Sequence, residues 1–265
     1  LEKLKAVQLD ANFFSHIYNN SYPGRIILGG LTENGLPVFL YATMGRQFDS
    51  QNCIFVRNGD TVKTEIADET RPPANPELTL YDAMGNITLQ VPRSIENSTE
   101  QVFIVTNGKQ TTDLLTKMKE TKAFAIILKS WKHEPDSNAT PRISGMMIVG
   151  ENPVPRIEFS VIKKAPVLVI DENDSQHNFF NIELKQPGLG FCISTYMGDG
   201  NPLPSFKGEP IEMPIKGNYA EEIANQYWEA LNSDNRVSLV VQVITKNKPF
   251  LCDWHIINRF QKINK

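Results

Sequence analysis

The chain has 265 residues, 40% hydrophobic and 22% charged, with a net charge of -3, enough to bury a sizeable core and too acidic to make nucleic acid its main partner. Its three cysteines, Cys53, Cys192 and Cys252, are too widely spaced for a disulfide framework or a zinc pair. No apolar run approaches the ~20 residues of a membrane span and no signal peptide is visible, so the reading is a cytoplasmic protein without a membrane partner.

Residues 1–21 read as a leader, followed by one domain over 22–265. Tyr22-Pro-Gly-Arg25 is a tight turn that leaves an arginine at the mouth of a strand. Period-2 apolar runs at 25–30 and 36–44 flank the turn signal Glu33-Asn-Gly35 and predict a hairpin. Met44-Gly-Arg46 ends it, and a polar loop runs to Asn52. Runs at 53–57 and 61–67 flank Asn58-Gly-Asp60 and predict a second hairpin. Strands are expected at 87–91 and 101–106, then a helix over 109–121 with Leu114, Leu115 and Met118 on one face.

Residues 124–128 fit either a strand or the end of that helix. A hairpin spans 142–149 and 156–163 across the turn 150–153, and further strands are expected at 167–170, 180–184, 190–196, 237–245 and 251–259. The stretch 185–216 is rich in Pro and Gly and reads partly as a surface loop. A helix is predicted over 218–231, with Asn218 as N-cap and Glu221 and Glu222 in its first turn. The pattern predicts an α+β fold: two sheets packed face to face with helices outside.

Four segments carry groups suited to a small-molecule site. Arg25 offers a planar fork for phosphate or carboxylate, or is simply a solvated arginine. Arg46, Gln51 and Asn52 can face the same ligand, because hairpin partners bring their ends together, and equally fit an ordinary polar turn. Thr106-Asn-Gly108 stands between a strand and a helix start, the pattern of an anion cradle and equally of a helix cap. His133-Glu-Pro-Asp136, leading into Thr140-Pro-Arg142, combines base, acid and rigidity. Glu134 suits proton transfer better than metal binding, since no second cluster has ligand spacing, or the segment is simply an acidic surface loop. Cys53 reads as a small core residue.

Taken in order, these segments resemble the archaeal-type IMP cyclohydrolases. The residues that carry the resemblance are YPGR at 22–25, MGR with the polar run to Asn52, and NPELTLYDA containing Tyr81. TNG at 106–108, EPD at 134–136, TPRI at 140–143 and ISTY at 193–196 complete the set. The resemblance implies a four-layer αββα sandwich like that of the N-terminal-nucleophile hydrolases. It also implies closure of 5-formamidoimidazole-4-carboxamide ribotide to inosine monophosphate without metal or other cofactor.

By similarity, Tyr81 is a proton donor or relay, Glu134 orients or deprotonates the carboxamide, and Arg46 polarises the formyl group or holds the base. Tyr22, Arg25, Gln51, Asn52, Thr106, Asn107, Gly108, Thr140 and Arg142 are the expected contacts to the purine ribotide, and a homo-oligomer is possible. One departure is that members often carry Arg where this chain has Gln51 and Cys53, which leaves a non-catalytic ribotide-binding homologue as the alternative. A true N-terminal-nucleophile amidohydrolase is disfavoured, because that chemistry needs an N-terminal Cys, Ser or Thr.

Overall fold

The computed structural model describes residues 15–91, 98–121, 123–150, 154–166, 173–245 and 251–262. Two antiparallel sheets dominate it. The first has the strand order β11-β10-β1-β2-β12-β13, built from β1 (Arg25–Leu31), β2 (Pro37–Met44), β10 (Leu189–Ser194), β11 (Ile211–Pro214), β12 (Arg236–Ile244) and β13 (Cys252–Asn258). The second runs β3-β4-β5-β6-β7-β8-β9 in simple sequence order. Its strands are β3 (Cys53–Asn58), β4 (Thr61–Ile66), β5 (Asp82–Val91), β6 (Ser98–Thr106), β7 (Arg142–Val149), β8 (Arg156–Lys164) and β9 (Ser175–Glu183).

Side-chain alternation explains how the layers stack. In β1, Ile27 faces the second sheet and joins Phe39, Tyr41, Phe103, Ile143, Met147 and Phe159 in an inter-sheet core. Its neighbours Ile26 and Leu28 point the other way, onto Ile223, Ala224 and Tyr227 of helix α3 (Ala220–Ala230). On the outside of the second sheet, Val102, Ile104 and Met146 pack against Leu114 and Met118 of α1 (Gln110–Thr121) and Phe124 and Ile127 of α2 (Phe124–Leu128). Strands covered on both faces carry continuous apolar runs, as β2 does with every residue buried. β9 is covered less, and its exposure varies along the strand. At one edge the Asn258 carboxamide accepts from the Phe55 N–H at 2.9 Å and donates to the Phe55 carbonyl at 3.0 Å, clipping β13 to β3.

The mixed α+β class with two antiparallel sheets and few helices agrees with the sequence expectation. Three local readings need correction. Residues 124–128 form a separate short helix. Within the supposed loop 185–216, Ile211–Pro214 forms an edge strand on β10, pairing Cys192 with Ile211 and Gly190 with Met213. Asn218 does not cap α3: the Glu222 carboxylate accepts from the backbone N–H of Asn218 at 2.9 Å, while the Asn218 side chain accepts from the Asn34 N–H at 2.7 Å. The expected strand 167–170 and most of the turn 150–153 lie outside the described residues.

Strand register brings the chain motifs to one end of both sheets. Arg25 pairs with Thr43, and Ile26 pairs with both Ala42 and Ser194. In the second sheet Thr106 pairs with Ser144, setting the 106–108 turn beside the start of β7. From the expected leader, Ile17 is buried in the α3 cluster, and Asn20 donates to the Tyr196 carbonyl.

Candidate active site

A cleft of about 220 Å³ opens at that end, lined among others by Tyr22, Arg25, Arg46, Cys53, Tyr81, Glu134, Asp136, Thr140 and Tyr196. Its Tyr22–Arg25 wall is built by close backbone approach. Gly24 has φ 74°, and a Cβ there would stand 2.2 Å from Thr195 Oγ1, so only glycine fits. The Thr195 hydroxyl accepts from the Arg25 N–H at 3.0 Å, and the Tyr196 N–H donates to the Pro23 carbonyl at 3.1 Å. The YPGR and ISTY segments are therefore two halves of one backbone structure. The Tyr22 and Tyr196 rings stack with centroids 6.0 Å apart.

Glu134 is the buried acid of the site, 2% exposed. Its N–H donates to the Thr140 carbonyl at 2.9 Å. Its Oε1 lies 3.7 Å from Arg142 Nη1 and 3.5 Å from Asn107 Nδ2. Burial pushes its carboxyl up to about 7, against the opposing pull of Arg25 and Arg142. Such a group exchanges a proton near neutral pH. Burial also works against the charge of Arg25, but Glu134 and the phenols of Tyr81, Tyr22 and Tyr41 more than compensate, so its pKa stands above the ordinary arginine value. Arg142 is pulled down by burial, with Glu134 opposing.

Behind Glu134 lies a buried positioning layer. Asn107 donates to the Pro141 carbonyl at 2.9 Å, accepts from the Ile143 N–H at 2.8 Å, and accepts from Gln110 Nε2 at 3.1 Å. Arg142 donates to Gln110 Oε1 at 3.2 Å and to the Lys132 carbonyl at 3.0 Å, with its guanidinium 5.1 Å from the centroid of the Trp131 ring. A Cβ on Gly108 would lie 2.5 Å from Arg142 Nη1, so glycine makes room for the arginine. The Thr106 hydroxyl is spent within its own turn, on the Gly108 carbonyl and Thr111.

Tyr81 lines the same cleft as Glu134. Its hydroxyl is 2.8 Å from that of Tyr41 on β2, so the phenol pair links the two sheets. Burial raises both phenols, Tyr81 against the opposing effect of Arg25, which keeps them protonated at neutral pH. If Tyr41 donates to Tyr81, the Tyr81 proton is free to point into the cleft. Cys53 borders the same space, its thiol pushed up to about 11 by burial despite Arg25. Arg46 stands at the rim, paired with Asp199 and 4.4 Å from the centroid of the Tyr22 ring.

The geometry thus places Tyr22, Arg25, Arg46, Tyr81, Glu134 and Thr140 in the cleft wall, with Thr106, Asn107, Gly108 and Arg142 packed behind it. Gln51 and Asn52 stand apart. The Gln51 side chain donates to the Gly45 carbonyl at 3.2 Å. Asn52 donates to the Asp68 and Arg71 carbonyls and accepts from the Asp68 N–H. Both border a separate hollow with Phe48 and Phe260. His133 also turns away, its Nδ1 2.8 Å from Ser175 Oγ on β9.

A family model described as IMP cyclohydrolase-like protein matches residues 22–248. The chain belongs to this family. It is 25% identical over 201 residues to an IMP cyclohydrolase of Methanopyrus kandleri, an alignment that takes in 74% of the chain and 80% of the relative. It is 24% identical over 231 residues to an IMP cyclohydrolase of Methanocaldococcus jannaschii, covering 85% and 95% respectively.

Within this member of the IMP cyclohydrolase-like family, sequence reasoning missed Tyr41, Gln110 and Asp136 as parts of the site. Asp136 stood in a segment already singled out. Tyr41 carried no local signal, since a tyrosine inside an apolar strand reads as core. Among the described residues no cluster of three or more His, Cys, Asp or Glu could hold a metal ion, and no helix is long and apolar enough to cross a membrane.

Proposed function

We propose that this chain is an IMP cyclohydrolase that closes 5-formamidoimidazole-4-carboxamide ribotide to inosine monophosphate. The observation that carries the reading is Glu134: a buried carboxyl at about 7, in the wall of a cleft that Tyr81 also lines, in a chain of this family. The two sheets with helices outside also support the αββα sandwich of the N-terminal-nucleophile hydrolase kind.

In the reaction the carboxamide nitrogen bonds to the formyl carbon. The nitrogen must lose a proton and the formyl oxygen must gain one. Ionised Glu134 accepts the amide proton, and Tyr81, backed by Tyr41, donates toward the formyl oxygen. Loss of that oxygen as water, with the former formamide N–H, completes the aromatic ring. Arg25 offsets the negative charge that builds on the oxygen in between. The two arms belong to one molecule, so the step is intramolecular from the start, and the cleft's part is to hold them in the reactive geometry, which makes the nitrogen's weakness less costly. Asn107 and Arg142 position Glu134. Arg46, at the exposed rim, is suited to the anionic end of the ribotide.

The test is to mix EDTA-treated protein with the formamido ribotide and follow inosine monophosphate by absorbance. Turnover that disappears in Glu134→Gln is the expected result. A second reading, a homologue that binds the ribotide without converting it, is favoured by Cys53, a neutral thiol beside Arg25 where family members often carry Arg. Tight binding of the ribotide with no turnover in the native protein would decide for it.

A further inference from the structure

Asp136, Thr140 and Tyr196 line the cleft, yet the ring closure described above assigns them no proton and no charge to hold. They form a hydrogen-bonded chain whose direction chemistry dictates. Asp136 accepts twice from Thr140: from its backbone N–H at 2.7 Å through Oδ1, and from its hydroxyl at 2.5 Å through Oδ2. The same Thr140 oxygen lies 2.7 Å from the Tyr196 hydroxyl. An ionised carboxylate has no proton to give, and threonine has one, which goes to Asp136. The hydrogen bond between Thr140 and Tyr196 must then be donated by Tyr196. Its oxygen is left with lone pairs alone for anything in the cleft.

The backbone holds this arrangement in place. Ala139 takes the left-handed φ of 48° and donates its N–H to the Asp136 carbonyl at 3.0 Å, which folds Thr140 back onto the carboxylate. Tyr196 is fixed at the other end by its stack on Tyr22 and its N–H bond to Pro23.

We infer that the Asp136–Thr140–Tyr196 chain is a polarity filter, presenting an acceptor that selects an O–H or N–H donor of the ligand at this point of the cleft. On the ribotide reading, on which the choice of ligand rests, that donor is a sugar hydroxyl or the ring N–H of inosine monophosphate.

Asp136→Asn reverses the filter without emptying it. The new side-chain oxygen keeps the Thr140 N–H, its NH2 donates to Thr140 Oγ1, Thr140 donates to Tyr196, and the Tyr196 proton turns into the cleft. Neutron diffraction on ligand-free crystals of deuterated protein reads this directly. The Tyr196 deuteron is expected to point at Thr140 in the native protein and away from it in Asp136→Asn.

Binding then locates the donor. Native protein is compared for inosine monophosphate and its 2′-deoxy, 3′-deoxy and N1-methyl forms. One of the three is expected to bind about tenfold more weakly, the usual worth of one hydrogen bond of this kind. That difference should vanish in Tyr196→Phe, which keeps the ring's shape, and in Asp136→Asn if the donor is the ring N–H, since a sugar hydroxyl can turn and accept from Tyr196 instead. A native deuteron pointing elsewhere, or three analogues that all bind like the parent, overturns the proposal. A deuteron in place with no binding of inosine monophosphate upholds the acceptor and sinks the ribotide reading instead.

Discussion

Replacing Glu134 with Gln separates what this carboxyl costs the fold from what it does in the cleft. Its pKa of about 7 lies above the 4.5 of a free carboxyl because burial penalises the charge more than Arg25 and Arg142 relieve it. An acid whose folded pKa is raised contributes its full stability below the unfolded value and loses it as pH rises through the folded one. Between 4.5 and 7 the native protein therefore gives up about 3 kcal/mol on account of this one group, at roughly 1.4 kcal/mol per pH unit. Gln resembles the protonated acid and does not titrate.

Urea unfolding of both proteins at intervals from pH 4.5 to 8 tests this, since every other ionising group cancels in the difference. The stability of Glu134→Gln relative to native should grow by about 3 kcal/mol across the series, nearly all of it below pH 7.5. Over the same range the native kcat/KM should climb through about 7, while the variant stays low and flat. Parallel stability curves would refute the argument, because they would mean that Glu134 ionises in the fold as freely as in water.

Three further outcomes follow from the site. Tyr81→Phe should lower kcat on the order of 10²-fold or more if its proton reaches the reacting oxygen. Tyr41→Phe, which removes only the partner 2.8 Å away, should cost about 1 kcal/mol of stability and a smaller part of the rate. Equal losses in the two variants would mean that the phenols act as one packing unit. Gly24→Ala combines a left-handed φ with a Cβ 2.2 Å from Thr195 Oγ1, so destabilisation of roughly 2–4 kcal/mol is expected from urea melts. An unchanged midpoint would show that the YPGR and ISTY segments can part without strain.

How much of this was readable in advance varied element by element. The turns Glu33-Asn-Gly35 and Asn58-Gly-Asp60 announced their hairpins, because positive φ at Gly35 and Gly59 is a local requirement met by a local residue. The apolar spacing of Leu114 and Met118 announced α1 for the same reason. Ile211–Pro214 carries no signal in the sequence, because a four-residue strand in a stretch rich in Pro and Gly has no period of its own; it is a strand only through its bonds to β10. Asn218 looked like a cap, but the nearby Asn34 N–H took its side chain and Glu222 took over the cap. The C-terminal part of the polar loop, at Gln51 and Asn52, was expected beside Arg25. It turns away because the Asn52 carboxamide is taken up by the backbone at Asp68 and Arg71.

The sequence by itself determined the alternation that makes two sheets, the turns that pair neighbouring strands, and the glycines that leave room for Thr195 at Gly24 and for Arg142 at Gly108. These are short-range matters of sterics and period. Only the tertiary structure decided which groups share the cleft. Tyr41 became a partner of Tyr81 when the two sheets closed face to face, and Tyr196 met Thr140 across 56 positions of chain. Glu134 moved toward neutral pH for the same reason: a carboxyl's proton affinity depends on the water and charges around it, and those are set by segments far away in sequence.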